Sequence, residues 1–270
     1  MRILYRQHHL NRLTEVVEDG ECRSLTFNTH LTQSRMLLAD PVELVLGYSR
    51  CMMAALLFDD GVLRDGPMKI LMIGLGGGSL VKFLLHHYPG CRMDVVEEDP
   101  AMPALAREFF HLPDDPRLTL YLEDGARFLE RVTTGQAHRC YDLLLVDAYD
   151  QEGMAQSVYA EAFFTRAYSL LTRTGVMAVN LIRSDAAHFR QCTTIMGKQF
   201  PEGALEMAVA GSNNEIYFVG PGIALWEDRQ ELVVRAWDLE SRLEMNFPVM
   251  LQDLVRVKRP TNWRQWFGWQ

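Results

Sequence analysis

Paired cysteines, long apolar runs and a secretion signal are all missing from this chain of 270 residues. Its five cysteines are odd in number and none has CxxC spacing, which argues against a disulfide framework or a zinc site and predicts reduced thiols in the cytoplasm. The longest uninterrupted apolar run, Cys51–Phe58, is far too short to span a bilayer. The N-terminus lacks the apolar segment of a secretion signal, so no membrane association is expected.

Basic clusters and metal-binding motifs are absent as well. The formal net charge is −8 and no run of five or more Lys or Arg occurs, so nucleic acid and acidic membrane surfaces are poor candidates as partners. The eight histidines show no HExxH or similar ligand spacing, and no phosphate loop of the ATPase type is present. The sequence therefore predicts neither a metal site nor ATP hydrolysis, whereas an acidic protein is compatible with a cationic small substrate.

Apolar segments alternate with helical stretches from Lys69 onward. Strands are predicted at Ile70–Ile73, Met93–Glu97, Leu118–Leu122, Leu143–Asp147, Val176–Leu181, Leu205–Ala210 and Ile216–Val219. Short continuous apolar runs suit parallel strands that are covered on both faces, and the alternation predicts a doubly wound, mostly parallel, Rossmann-like α/β sheet. Because only a short link joins the last two strands, they are predicted to form a hairpin with an antiparallel strand.

Smaller elements flank this predicted sheet. Thr14–Glu18 and Arg23–Asn28 read as a β-hairpin around Asp19-Gly20, and a helix is predicted from Asp40 to Phe58 because Asp40-Pro41-Val42-Glu43 has the spacing of a capping box. We expect three parts: residues 1–64 as a small β element plus helix, 65–222 as the cofactor-binding domain, and 223–270 as a helix and tail packed on it.

The strongest local motif is the glycine-rich loop Ile73-Gly74-Leu75-Gly76-Gly77-Gly78-Ser79, which follows an apolar strand and precedes a helix. Glycines allow a sharp turn and a close approach of backbone to ligand, so Gly74, Gly76 and Gly78 are candidate cofactor-binding residues. The dinucleotide pattern GxGxxG would need a glycine where Ser79 stands. A tight turn without any ligand is the structural alternative.

Acidic residues follow three of the predicted strands. Glu97 ends the second strand, where an acid can accept both ribose hydroxyls; the alternative is an exposed strand-end charge. Asp124-Gly125 follows the third strand, and Asp124 can accept a hydrogen bond from an adenine amino group, cap the next helix, or do both. Asp147 ends the fourth strand and Asp150 follows it; two carboxylates there can neutralise a cationic ligand and accept a proton from an amine, or cap and solvate a loop.

This order of motifs resembles the spermidine synthase (polyamine aminopropyltransferase) family, which has the wider fold of class I S-adenosylmethionine methyltransferases. The resemblance runs from about Gln33 to Val219 and includes the loop, Val96-Glu97, Asp124-Gly125, Tyr141-Asp142, Asp147-Ala148-Tyr149-Asp150 and Gly175-Val176. It implies that Glu97 holds the ribose, Asp124 meets the adenine, Asp147 is the base and Asp150 positions the amine. It further implies that Gln33 contacts the cofactor, that Tyr48 and Tyr149 contact the acceptor, and that the protein is a homodimer.

Three positions depart from that family's pattern. Gly77 stands where the loop usually carries an Asp that holds the terminal ammonium of decarboxylated S-adenosylmethionine. Arg50 stands where an acid usually follows the tyrosine; if it faces the site, it disfavours a polyamine or welcomes a carboxylate. Asp150-Gln151-Glu152-Gly153-Met154 lacks the prolines of the loop that usually covers the amine.

Three functions therefore stay open. The first is transfer of an aminopropyl group from decarboxylated S-adenosylmethionine to an amine, which the pair Asp147 and Asp150 favours. The second is methyl transfer from intact S-adenosylmethionine, which Gly77 and Arg50 favour. The third is a non-catalytic nucleoside-binding relative, because fold alone does not fix function.

Overall fold

Two β-sheets organise the chain in a computed structural model that describes residues 1–9, 12–28, 31–58, 67–134, 140–149 and 156–257. The N-terminal sheet is antiparallel and contains β1 (Arg2–His9), β2 (Arg12–Asp19), β3 (Cys22–Phe27) and β4 (Leu31–Leu37), in that order. The predicted hairpin corresponds to β2 and β3. The structure extends it by one strand on each side, so the small β element is larger than a hairpin.

The second sheet is the predicted doubly wound sheet. Its strands in chain order are β5 (Lys69–Ile73), β6 (Arg92–Glu97), β7 (Leu118–Leu122), β8 (Tyr141–Val146), β9 (Leu171–Ile182), β10 (Leu205–Ala208), β11 (Asn214–Val219) and β12 (Val255–Arg256). Their spatial order is β12-β10-β11-β9-β8-β5-β6-β7. The strands from β9 to β7 are parallel, and β11, β10 and β12 continue the sheet in antiparallel fashion. The α/β prediction and the antiparallel hairpin are therefore confirmed, whereas β12 was not predicted.

Helices cover both faces of this sheet. They are α1 (Gly47–Met52), α2 (Ser79–His87), α3 (Met102–Phe110), α4 (Gly125–Thr134), α5 (Glu161–Leu170), α6 (Ala186–Gln199), α7 (Arg229–Leu243) and α8 (Phe247–Asp253), with 3-10 turns at Met53–Phe58, Gln156–Tyr159 and Pro221–Glu227. Side chains alternate across β5, so Ile70 and Met72 pack on the α2 side while Leu71 and Ile73 pack on the α4 side. Within the described residues, none of these helices has the length and apolar character needed to cross a membrane.

The predicted helix from Asp40 to Phe58 is wrong in its first part. Residues 40–46 form turns, and α1 begins only at Gly47. The Asp40 carboxylate accepts from the backbone N–H of Val42 at 3.0 Å, and Glu43 N–H donates to the Asp40 carbonyl. Asp40 therefore caps a local turn, which competes with helix formation because it satisfies the same backbone groups.

The C-terminal part begins with the predicted helix and continues with a second helix and a strand that were not predicted. Helix α7 lies within the stretch predicted to be helical, residues 226–245. Helix α8 and strand β12 then occupy the start of the segment for which no period was visible. The tryptophan-rich remainder, residues 258–270, lies outside the described residues.

Candidate active site

A cleft opens at the carboxyl ends of β5, β6 and β8, where open α/β sheets bind ligands. It encloses about 800 Å³ of empty space, including open solvent at its mouth. The N-terminal sheet closes one side of it through β4. Eight of the predicted site residues line this cleft: Gln33, Gly74, Gly76, Glu97, Asp124, Gly125, Asp147 and Tyr149. Residues from five separate segments of the chain therefore line the same cleft.

A smaller inner chamber adjoins the cleft and encloses about 280 Å³ of empty space, including open solvent. The two share Ser34, Leu75 and Asp147. Tyr48, another predicted site residue, lines the inner chamber and not the cleft. Asp147 therefore stands at the junction between the two spaces.

The glycine-rich loop runs directly against the end of β8. Gly74 has φ +94°, and a Cβ added to it would lie 2.2 Å from the carbonyl oxygen of Asp147. Its own N–H donates to the carbonyl of Val96. Gly78 ends the loop as the N-cap of α2, lies beside Leu112 and is not among the described residues that line the cleft.

Glu97 lies at the end of β6 with both carboxylate oxygens directed at backbone. Oε2 accepts from Leu75 N–H at 2.9 Å and Oε1 accepts from Asp99 N–H at 2.8 Å. Burial raises the pKa of Glu97, and these two hydrogen bonds oppose that rise. Each oxygen keeps a further lone pair, so the carboxylate ties the glycine loop to β6 and can still accept ribose hydroxyls.

Asp124 and Gly125 form the start of α4 beside the cleft. The Asp124 carboxylate accepts from Arg127 N–H at 2.9 Å, which makes it a helix cap. It also lines the cleft, so the capping and ligand-binding roles are compatible. A Cβ at Gly125 would lie 2.6 Å from Ile73 Cγ2, so the absence of a side chain lets α4 start against β5.

Two polar side chains lie against Asp147. Asn180 on β9 donates through Nδ2 to Asp147 Oδ1 at 2.9 Å, and the Tyr48 hydroxyl lies beside the carboxylate. Burial raises the pKa of Asp147 above that of an ordinary aspartate, while the hydrogen bond from Asn180 and the neighbouring Tyr48 hydroxyl lower it. A buried carboxylate of raised pKa that is still fixed in orientation has the properties of a general base.

Asn180 is a site residue that the sequence did not indicate. It is 1% exposed, and its Oδ1 accepts from Asn214 Nδ2 at 2.9 Å. That second bond fixes which end of the amide faces Asp147. The backbone carbonyl of Asn180 also accepts from the Tyr149 hydroxyl at 2.6 Å. A polar residue inside the apolar run Val176–Leu181 was the available sequence signal, since β9 lies beside β8.

Gln33 occupies an irregularity in the N-terminal sheet. The pairing of β3 and β4 shifts between Leu25 and Thr26, which pair with Ser34 and Thr32, so Gln33 is the extra residue of a β-bulge. Its carbonyl oxygen accepts a hydrogen bond from the Tyr48 hydroxyl at 3.1 Å. The bulge thereby directs β4 toward the cleft. Asp150 and the loop that follows it, the remaining predicted site elements, lie outside the described residues.

Comparisons with known proteins agree with this geometry. A family model described as the spermine/spermidine synthase domain matches residues 46–191. A polyamine aminopropyltransferase from Chromobacterium violaceum is 31% identical over 251 residues, which cover 92% of this chain and 91% of that protein. The chain belongs to the spermine/spermidine synthase family. It is accordingly an enzyme of the transferase class.

Solved structures with the same fold include members of this family and methyltransferases. A spermidine synthase in complex with the transition state analogue AdoDATO has a TM-score of 0.73 at 17% identity, and the match covers 93% of this chain and 84% of that one. Human methyltransferase-like protein 13 in complex with SAH has a TM-score of 0.68 at 25% identity, covering 82% of this chain and 98% of that one. The fold is therefore shared by both kinds of protein.

The glycine-rich loop packs closely against Ser34 of the N-terminal sheet. A Cβ at Gly77 would lie 2.9 Å from Ser34 Cβ and 3.1 Å from the Phe110 ring. Ser34 is buried, and its Oγ accepts from Gly77 N–H at 2.7 Å. Ser34 therefore fills the space that a larger loop residue would need. Arg50, in contrast, is not among the described residues that line the cleft or the inner chamber.

Proposed function

We propose that this protein transfers an aminopropyl group from decarboxylated S-adenosylmethionine to an amine. The observation that carries the proposal is the Asp147 carboxylate, which Asn180 fixes beside Tyr48 at the junction of cleft and inner chamber. Its relative from Chromobacterium violaceum bears the name polyamine aminopropyltransferase, and that name supports the same reaction.

The donor would lie along the carboxyl ends of β5 and β6. In this arrangement Glu97 accepts the ribose hydroxyls and Asp124 meets the adenine amino group. Gly74, Gly76 and Gly125 allow backbone to approach the nucleoside, and Gln33 closes the cleft from the N-terminal sheet. Complexes with AdoDATO and with SAH in structures of this fold support a donor related to S-adenosylmethionine.

Asp147 would then act on the acceptor. An amine is protonated in neutral water and must lose a proton before its nitrogen is nucleophilic. Asp147 takes that proton while the nitrogen attacks the carbon next to the sulfonium. The new C–N bond forms as the C–S bond breaks, the electron pair returns to sulfur, and neutral methylthioadenosine leaves. Tyr48, Tyr149 and Asp150 are proposed to orient the acceptor, and holding both reactants in line supplies much of the rate.

A second candidate is methyl transfer from intact S-adenosylmethionine, and the space beside Gly77 favours it. Ser34 occupies that space, so the loop offers no carboxylate to the donor's ammonium group. Losing one charged hydrogen bond costs roughly 1.5–3 kcal/mol, which is about a tenfold to hundredfold effect on affinity. The same neutral loop does not repel the α-carboxylate of an intact donor.

Calorimetric binding of the two donors, followed by product analysis, separates these functions. Aminopropyl transfer predicts tighter binding of the decarboxylated donor and release of methylthioadenosine when a panel of amines is supplied. Tighter binding of the intact donor with release of S-adenosylhomocysteine would replace the first function by the second. Binding of either donor without turnover would identify a non-catalytic relative, and no binding at all would refute the donor site.

The location and assembly of the protein are proposed from its chemistry and from the family resemblance. We infer a cytoplasmic protein that acts on small molecules rather than on nucleic acid, because the net charge is −8 and no basic run occurs. We also propose a homodimer, as the family resemblance implies. Sedimentation equilibrium at micromolar concentration would contradict the dimer if it returned only the monomer mass.

A further inference from the structure

The inner chamber contains a cation that the proposed reaction does not use. Arg35 follows Ser34 on β4 and lines the chamber together with Tyr48, Ser79 and Asp147. Among the described residues that line this chamber, Arg35 carries the only positive charge. Its backbone position is fixed, because β4 pairs with β3 through Ser24 and Arg35. The sequence suggested Arg50 as a cation near the acceptor, whereas in the structure Arg35 lines the inner chamber.

The guanidinium of Arg35 has an unused donor. Its Nε is buried and has no hydrogen-bond acceptor in the described part of the chain. Buried donors of charged groups are almost always paired, because leaving one unpaired is costly. Such exceptions are candidates for groups that a ligand satisfies. A planar guanidinium with adjacent donors is complementary to the two oxygens of a carboxylate.

The other charges of the chamber fit the same ligand class. Asp147 is the one carboxylate among its described lining residues, and Gly77 brings none from the loop. The walls therefore present one cation and one anion. A polyamine, which carries only positive charges, would be repelled by Arg35. An α-amino acid group, which carries an ammonium and a carboxylate on the same carbon, matches both.

We propose that Arg35 binds the carboxylate of a reactant that carries an α-amino acid group in the inner chamber. The inference rests on the proposed nucleoside donor in the adjoining cleft. That carboxylate has two possible sources. It belongs either to the donor, which is then intact S-adenosylmethionine, or to the acceptor, which is then an amino acid and leaves aminopropyl transfer intact.

Matched ligand pairs that differ by one carboxylate test this inference on the full chain. S-Adenosylhomocysteine and its decarboxylated form, S-adenosyl-3-thiopropylamine, report on the donor; L-ornithine and 1,4-diaminobutane, titrated in saturating methylthioadenosine, report on the acceptor. Arg35→Met keeps the aliphatic stem and removes the charge. We expect it to weaken the carboxylated member of one pair at least tenfold while the affinity for methylthioadenosine stays unchanged. The pair that responds identifies the source.

Arg50→Met is the control, because it removes a nearby cation that does not line the chamber, and it should change none of these affinities. If Arg35→Met does not fold, Arg35→Lys serves instead, since a lysine keeps the charge but loses the planar fork. Equal loss, or no loss, for both members of each pair would overturn the role of Arg35. Failure of the unaltered protein to bind methylthioadenosine would instead refute the proposed donor site, and this inference with it.

Discussion

Asp147 is the residue on which the proposed chemistry depends most. Its carboxylate accepts from Asn180, and the Tyr48 hydroxyl lies beside it. Replacement by asparagine keeps the shape and can still accept from Asn180, but it removes the base. We expect Asp147→Asn to lower turnover by roughly 100- to 10,000-fold, the usual contribution of general base catalysis. Calorimetry should show nearly normal binding of methylthioadenosine.

Asp142→Asn is a matched control for that variant. Asp142 lies on β8, which Asp147 directly follows, but its carboxylate accepts from Lys69 N–H and the Thr172 hydroxyl and does not line the cleft. Its replacement should leave turnover within a few-fold of normal. Full turnover in Asp147→Asn would remove Asp147 as the base.

Asn180 should set the pH at which Asp147 becomes active. The base works only when ionised, so turnover is lost as the pH falls through the pKa of Asp147, which burial raises. The Asn180 hydrogen bond favours the ionised form and lowers that pKa. Because a hydrogen bond to a charged group contributes roughly 1.5–3 kcal/mol, Asn180→Leu should move the acidic limb of the pH profile upward by about one to two units.

Asn180→Gln provides the comparison for that profile, because it keeps an amide donor and should recover part of the shift. A purely structural role would lower stability or maximal turnover without moving the limb. An acidic limb at the same pH in Asn180→Leu and in the unaltered protein would therefore contradict a positioning role for Asn180.

At the level of elements, the glycine-rich loop is constrained by the strand beside it. Gly74→Ala would place a methyl group 2.2 Å from the Asp147 carbonyl at φ +94°. Left-handed backbone alone costs about 1–2 kcal/mol for a residue with a Cβ, and the clash adds to it. We expect a loss of unfolding free energy of about 2 kcal/mol or more, measured by urea denaturation, together with weaker binding of methylthioadenosine.

Gly211→Ala is the control that separates the cost of left-handed backbone from the cost of the steric clash. Gly211 has φ +69° but nothing lies within 4 Å of its added Cβ, so only the backbone cost applies there. Equal destabilisation by the two substitutions would show that the loop can move away from β8. In that case the contact between Gly74 and Asp147 would not be what positions the base.

Local sequence patterns predicted some helix and strand boundaries correctly and others incorrectly. The central strands were predictable because each is a short apolar run next to turn residues. The start of α1 was not, since Asp40 supports a turn and a helix equally well from sequence and the folded chain uses the turn. Strands β1 and β4 were missed because polar residues interrupt their patterns. The division at residues 64 and 222 stays a prediction.

At the scale of the whole molecule, the site belongs to both sheets. The parallel sheet supplies the loop, Glu97 and Asp147, and the N-terminal sheet supplies Gln33, Ser34 and Arg35. Ser34 reaches across to the backbone of Gly77, so the small sheet helps to fix the shape of the loop. Ligands in the cleft would contact both sheets and should stabilise their packing together.

The sequence by itself determined the fold class and the acids at the strand ends. Strand periodicity and glycine spacing are local patterns, and parallel strands necessarily bring their carboxyl ends to one edge, so Glu97, Asp124 and Asp147 could be placed together in advance. Only the tertiary structure decided which partner holds Asp147 and which cation lines the same chamber. Asn180 lies on the neighbouring strand but 33 residues away along the chain, and Arg35 comes to the chamber only because the N-terminal sheet packs beside the parallel sheet. No local sequence pattern records either neighbour.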